Sequence, residues 1–492
     1  MAIVAGIDCG TQSTKVVCYD SISKEIIAKA TSSHKLISKE DGTREQMASW
    51  YIDAIKDCFS QIPSETKFLI EGIGVSGQQH GFVALDENKE VIVPVKLWCD
   101  TSTSAQCNEI TEKVGGEDKV FELIQNQILP GYTASKILYL KQNNKEAYDK
   151  LAHILLPHDY INFYLTNNIT MEEGDTSGTA LFDVKNRCWS KEILKAIDSE
   201  RDLSTCLPRI IKPNEIQGFV RESVAKELGL NYEVIVSCGG GDNMIGAIGC
   251  GCTHEGSLVM SMGTSGTLFG YSEKVVSDRR SRLAAFISSS GGYLPLLCTM
   301  NCTVVSEQIR NLLKIDVKEL DILASKAEVG SNGISILPYF NGERVPNYPN
   351  GEATIFGMNS ANTSRENISR AALESGVFAM KIGLDAFVEL GFKAKELILI
   401  GGGANSKIWS QMVSDIFNLP VTIPTIQESA AFGGAIQVLS LIEKITIDEC
   451  AINHCGQNIK ASFSPVEENY EKYKKAYGKY LKYDKALSPL FK

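Results

Sequence analysis

Two stretches of this chain read alike and lie about half a chain apart. Ile3 to Ile7 is an apolar strand, Asp8-Cys9-Gly10-Thr11-Gln12-Ser13-Thr14 is a turn rich in glycine and hydroxyls, and Lys15 to Tyr19 is apolar again. Residues 257–270, Ser-Leu-Val-Met-Ser-Met-Gly-Thr-Ser-Gly-Thr-Leu-Phe-Gly, repeat the order of strand, Gly-Thr-Ser tip and strand. Gly10-Thr11 and Gly263-Thr264 hold equivalent places in the two hairpins. A pattern returning at that spacing predicts two similar domains, each opening with a hairpin, that face each other across a cleft. The N–H and O–H donors at such tips suit a phosphate, and two tips on one chain predict a polyphosphate gripped from both sides. Lys15 adds one positive charge, and Asp8 is placed to hold Mg²⁺ directly or through water.

A chain of 492 residues exceeds one ordinary core, which agrees with two large domains. The formal charge of −10 excludes the basic footprint of a nucleic-acid binder. An anionic ligand must then be held by local N–H groups, a few cations or a metal. The 14 cysteines are scattered without Cys-x-x-Cys spacing, so they read as reduced, buried thiols and not as zinc ligands. With no apolar run of membrane length and no signal-peptide pattern, the expectation is a cytoplasmic protein with neither membrane nor nucleic-acid partner.

The strongest single site is Val236-Ser237-Cys238-Gly239-Gly240-Gly241-Asp242-Asn243, a strand, a glycine turn and a helix start. The glycines remove Cβ atoms, so a ligand could approach the backbone there. Asp242 is either a general base or metal ligand, or simply a helix cap. Residues 398–406 repeat the arrangement as Ile-Leu-Ile-Gly-Gly-Gly-Ala-Asn-Ser, followed by a helix from Lys407 to Phe417. That stretch lacks the dinucleotide fingerprint Gly-x-Gly-x-x-Gly, and the chain has no P-loop. Ser76-Gly77-Gln78-Gln79-His80-Gly81 puts two neutral, multi-donor side chains, Gln79 and His80, between glycines. They suit hydroxyls of a small polar ligand, or else a solvated turn. Trp98 beside Asp100 is either a sugar-stacking ring or a core residue. His153 and His158 lack partners at metal spacing and read as structural. Segments 105–151, 190–229, 303–330 and 364–391 read as mainly helical. Tyr339 to Pro346 reads as a polar loop reaching the cleft, and the last ~40 residues as a surface helix.

Taken together, these stretches resemble the FGGY carbohydrate kinases, from the Asp8 hairpin to about residue 440. The motifs that carry the resemblance are Gly6-Ile7-Asp8-x-Gly10-Thr11, Ser76-Gly77-Gln78-x-His80-Gly81, Leu97-Trp98-x-Asp100, Leu156-Pro157-x-Asp159-Tyr160, Gly239-Gly240-Gly241-Asp242-Asn243, Ser261-x-Gly263-Thr264-Ser265-Gly266, Gly342-Glu343-Arg344-x-Pro346 and Gly401-Gly402-Gly403-Ala404. Departures from the family pattern stand at Gln79, Thr101 to Thr103, Tyr139 and Asn405. The resemblance implies an α/β chain of two actin/hexokinase/Hsp70-like (ribonuclease H-like) domains, residues 1–250 and 251–492, each with a five-stranded mixed sheet and with ATP in the cleft. It implies transfer of the ATP γ-phosphoryl to a ketose, and the Gln-x-His-Gly stretch points to D-xylulose within the family. Other sugars of the family, a non-kinase ATPase of the same fold and a sugar-responsive regulator are the rival readings.

By the same resemblance Asp242 is the general base, and Asp8 and Asp242 hold Mg²⁺. Gln79, His80, Asn243 and Trp98, with Asp242, hold the sugar. Thr11, Gln12, Ser13, Thr14, Lys15, Gly263, Thr264, Gly402, Gly403 and Ser406 hold the nucleotide. A homodimer is common in the family.

Overall fold

The computed structural model describes residues 2–231, 233–456 and 459–492. Each hairpin found in the sequence seeds a mixed sheet. The first sheet is built from β1 (Ile3–Cys9), β2 (Ser13–Asp20), β3 (Glu25–Ser33), β4 (Ile70–Gly77), β5 (Ile216–Phe219) and β6 (Ile235–Ser237), in the spatial order β3-β2-β1-β4-β6-β5. The second is built from β7 (Ser257–Met262), β8 (Gly266–Gly270), β9 (Leu296–Thr299), β10 (Glu396–Ile400), β11 (Val421–Pro424) and β12 (Ile459–Phe463), in the order β9-β8-β7-β10-β11-β12. Strand directions run antiparallel, antiparallel, parallel, parallel, antiparallel across both sheets. The doubled sequence pattern is therefore a doubled topology. Around the five-stranded cores each sheet adds an antiparallel edge strand, and Gly240–Gly241 pairs with the end of β4 to make the first sheet seven-stranded.

Central strands of such sheets are covered on both faces, and β1 reads accordingly: Val4, Ala5 and Ile7 are wholly buried. One cover is the helix Ala48–Gln61, which turns Tyr51, Ile55, Cys58 and Phe59 inward. The other comes from far along the chain. The helix Ser429–Glu443 packs on β1, β4 and the helix Asp242–Cys250, burying Phe432, Ile436 and Leu439 against Val4, Tyr19 and Ile245. Its backbone lies directly on the sheet, since a Cβ on Gly74 would fall 1.9 Å from the carbonyl oxygen of Gly434. The chain thus leaves the first sheet near residue 250, builds the second, and returns to the first with residues 429–455. The apolar face of this returning segment is the interface itself. No single helix among the described residues is long and apolar enough to cross a membrane.

Two expectations need correction. Residues 190–229 are not mainly helical: Arg209–Ile211 and β5 are strands, the second pairing with β6 at the edge of the main sheet. Short apolar runs of this kind take the partner that tertiary contact offers. The last helix, Glu467–Phe491, is not a surface element all round. Tyr473 accepts from Arg370 at 2.7 Å, and Asp484 accepts from Tyr339 at 2.6 Å, so one face of the helix is core.

Candidate functional site

The site is assembled where β1, β4 and β6 end. The in-register pairs Asp8↔Lys15 and Asp8↔Ser76 place a cation and a hydroxyl on either side of Asp8. Ser76 Oγ donates to Asp8 Oδ1 at 3.2 Å. After β6 the chain makes its glycine turn, pinned by Gln437 of the returning helix. Gln437 Oε1 accepts from Ser237 Oγ at 2.7 Å and from Gly239 N–H at 2.9 Å, and its Nε2 donates to Gly239 C=O at 3.1 Å. Gly239 has φ +73°. At Gly241 a Cβ would fall 2.8 Å from Gln79 Cγ. The protein itself thus occupies the space these two glycines leave, where the sequence suggested that a ligand would use it.

Asp242 is the first residue of the helix Asp242–Cys250. Its Oδ1 accepts from the N–H of Asn243 at 2.8 Å and from Asn243 Nδ2 at 3.0 Å. The cap reading does not hold, since Gly241 is the N-cap and no side chain caps the helix; among the described residues the second oxygen of Asp242 accepts nothing. Burial, then the neighbouring Asp8 and Asp175 carboxylates, push the Asp242 carboxyl up to about 7. Burial pushes Asp8 up to about 6 against the pull of Lys15 and Ser76. Two under-neutralised carboxylates within electrostatic reach of each other are a donor set that fits a hard divalent cation.

The residues expected to hold the sugar come together beside Asp242. Asn243 Nδ2 donates to Gln79 Oε1 at 2.7 Å, leaving the buried Gln79 Nε2 without a protein partner among the described residues. His80 follows, its ring edge-on to Tyr132 with centroids 4.7 Å apart. Burial and the nearby Lys136 and Arg344 hold His80 well below the usual imidazole range, so it is neutral at pH 7. Trp98 is half-buried and donates from Nε1 to Thr11 Oγ1 at 2.9 Å, which ties this ring to the first hairpin tip.

At the first hairpin tip, Gln12 and Lys15 are exposed and Thr11 and Ser13 half-exposed. Thr14 is fully buried and its hydroxyl pairs with His34 Nε2 at 2.9 Å, so that side chain faces inward. At the second tip Thr264 is exposed and Gly263 half-exposed. In the third glycine stretch Gly402 is open, whereas Gly403 packs on Met262, with a Cβ there falling 2.8 Å from Met262 Cβ. Ser406 is buried as the N-cap of the helix Lys407–Phe417, accepting from Trp409 N–H at 3.2 Å.

Several residues that the structure places around these side chains were given no role from the sequence. Asp175 and His158 are wholly buried, joined Oδ2 to Nδ1 at 3.1 Å, and Asp175 reaches the His80 loop. Gln78 accepts from Thr11 Oγ1 at 3.0 Å and donates to Gln46 Oε1 at 2.8 Å, and Gln46 donates to Thr11 C=O at 2.8 Å. Lys136 is buried with its amine on two carbonyls, and burial lowers it to about 7. Arg344 is exposed at the tip of the Tyr339–Pro346 loop, beside Cys298 Sγ at 3.4 Å. The hairpins, the glycine turns and the Gln79-His80 turn gave local signals, and Asp175 and Lys136 gave none. These partners lie tens to hundreds of residues apart, and no periodicity marks them.

Known proteins bear on this geometry directly. Residues 3–249 match the N-terminal domain, and residues 258–440 the C-terminal domain, of the FGGY family of carbohydrate kinases. The xylulose kinase of Haemophilus influenzae is 42% identical over 486 residues, covering 97% of this chain and 98% of that protein. The xylulose kinase of Lactococcus lactis is 32% identical over 491 residues, covering 97% and 95%. Among solved structures, a xylulose kinase from Bifidobacterium adolescentis aligns with TM-score 0.82 at 26% identity over 96% of this chain and 99% of that one. The glycerol kinase of Plasmodium falciparum, solved with ADP, aligns with TM-score 0.87 at 22% identity over 98% of each chain, a likeness of fold. With both family domains matched in order along a doubled actin/hexokinase-like fold, the chain belongs to the FGGY family of carbohydrate kinases.

Proposed function

We propose that this protein transfers the γ-phosphoryl group of ATP to the terminal primary hydroxyl of D-xylulose, giving D-xylulose 5-phosphate and ADP. The hydroxyl oxygen forms the new O–P bond, the bond from the γ-phosphorus to the β,γ-bridging oxygen breaks, and the hydroxyl proton passes to Asp242. An alcohol is a poor nucleophile at neutral pH, and a carboxyl held near 7 by its surroundings is matched to accepting that proton. Asp8 and Asp242 are the residues that would hold Mg²⁺, which when bound would neutralise the charge on the transferring group. Phosphoryl transfer is catalysed chiefly by alignment and charge neutralisation, so the remaining roles are positional. Thr11, Ser13, Lys15, Gly263 and Thr264 hold phosphate oxygens from the two tips, and Gly402 lines the nucleotide.

The observation that carries the sugar assignment is the Gln79–Asn243–Asp242 chain of hydrogen bonds. It leaves one neutral amide donor, Gln79 Nε2, buried and unsatisfied next to the base. Neutral donors at this place suit the hydroxyls and carbonyl of a ketose. The names of the relatives at 42% and 32% identity support the same substrate. The test is a coupled ADP-release assay with Mg-ATP and a panel of D-xylulose, D-ribulose, L-ribulose, L-xylulose, L-fuculose, D-gluconate and glycerol. Turnover highest by far on D-xylulose is expected. Turnover highest on another member reassigns the pocket, and ATP hydrolysis indifferent to sugar overturns the kinase chemistry.

A further inference from the structure

His80 stands in the left-handed region, with φ +62°. A residue with a Cβ stays there only when its surroundings over-determine it. Three buried side chains do so. The His80 carbonyl accepts from Lys136 Nζ at 2.7 Å and from Thr133 Oγ1 at 3.1 Å, and the His80 N–H points to Asp175 Oδ1 at 3.4 Å. Lys136, Thr133 and Asp175 have no exposed surface.

Lys136 is an expensive choice for such a place, since a buried amine without an ion-pair partner is costly. Among the described residues no carboxylate lies within ion-pair distance of it, and its second hydrogen bond goes to Gly131 C=O at 2.6 Å. The amine is therefore spent on holding two carbonyls, one of them that of His80. Asp175 is itself held by His158 on one oxygen and by Glu172, which accepts from its backbone N–H. The His80 ring has no slack either: a Cβ on Gly178 would fall 2.1 Å from its Cε1.

We infer that Lys136 and Asp175 are positioning residues that clamp the two ends of the His80 peptide. The clamp holds Gln79 and His80 at the angle at which they meet the sugar, and so sets discrimination among ketoses without contact to the substrate. If the clamp is released, the peptide relaxes towards the right-handed region and re-aims both side chains. The inference rests on Gln79 and His80 being the sugar contacts.

The test compares Lys136→Met, Asp175→Asn, Thr133→Val and His80→Ala with the unaltered enzyme. KM is measured for D-xylulose and for ATP, together with the D-xylulose to D-ribulose ratio of kcat/KM and the melting temperature. Lys136→Met and Asp175→Asn are expected to raise the sugar KM by about tenfold or more and to narrow the ketose ratio, with the ATP KM within about twofold. Thr133→Val, which removes one donor to the His80 carbonyl and leaves Lys136 and Asp175 in place, is expected to move the same parameters in the same direction and decides the matter should either clamp variant fail to fold. A folded clamp variant with sugar KM and ratio unchanged, or one whose two KM values move together with its melting temperature, overturns the inference. If His80→Ala leaves the sugar KM unchanged, the sugar-site reading itself falls. If His80→Ala raises it and the clamp variants do not, only the clamp falls.

Discussion

At the scale of single residues, the two carboxylates of the proposed site are kept by the fold from ionising easily. Asp242 is raised to about 7 and Asp8 to about 6, chiefly by burial. A base must be unprotonated to act, so kcat/KM is expected to fall as pH drops through the range between about 7 and 6, and a bound cation shifts that limb to lower pH. A pH–rate profile at saturating Mg-ATP and limiting sugar reads it. The stability sign runs the other way. Between pH 3.8 and about 7 the folded protein holds a proton at Asp242 that the unfolded chain has released, so stability falls with rising pH across that window. Asp242→Asn is therefore expected to raise the melting temperature of the ligand-free protein at pH 8 and to leave it unchanged at pH 3.5, by calorimetry. The same variant is expected to lose about 10²–10⁴-fold in kcat with sugar affinity held within about tenfold. Isothermal titration with D-xylulose separates the two effects, and near-normal kcat would remove Asp242 from the mechanism. Arg344 is exposed on its loop and lies within electrostatic reach of His80 and Tyr132, a cation for the proposed transfer to test. Arg344→Ala is expected to lower kcat more than it raises either KM.

At the scale of elements, the helix Ser429–Glu443 couples the two halves. It lies against the first sheet through glycine contacts, and its Gln437 holds the turn that presents Asp242. Gln437→Leu leaves the Ser237 hydroxyl and both backbone groups of Gly239 without that partner, at a cost on the order of 1–3 kcal/mol for each group so orphaned. Urea denaturation is expected to show the loss, and kcat is expected to fall with it because the turn before Asp242, the proposed base, loosens. The contrast within the glycine stretches is instructive. Gly-Gly-Gly at 239–241 and at 401–403 look alike in sequence. Yet among their glycines only Gly402 is exposed, while Gly241 and Gly403 are filled by Gln79 and Met262. Local composition marks a close approach without saying what approaches.

At the scale of the whole molecule, two sheets of the same strand order each carry a hairpin tip, and each tip offers donors that a polyphosphate would join. The Thr11–Gln78–Gln46 network and the Trp98–Thr11 bond tie the first tip to the Ser76–Gly81 turn within one lobe. The second tip belongs to the other sheet. Sugar and nucleotide held between lobes are expected to draw them together and exclude water, which otherwise takes the phosphoryl group. Small-angle scattering with D-xylulose and a non-hydrolysable ATP analogue is expected to show a smaller radius of gyration than with either alone. An unchanged radius would favour a preformed, rigid site.

Much of this was present in the order of residues. The paired hairpins, the strand–glycine–helix entry to Asp242 and the Gln79-His80 turn are each made within a dozen residues, by apolar alternation, glycine and capping chemistry, and short-range physics writes those into local sequence. The tertiary structure alone decided the rest. It decided that residues 429–455 return to the first sheet, that Gln437 holds the turn before Asp242, that Thr14 faces His34, and that Lys136 and Asp175 meet at His80. Those contacts join segments that carry no common period or motif. Each became favourable only once packing had buried both partners, because a buried polar group must find its hydrogen bond wherever the fold has brought one within reach.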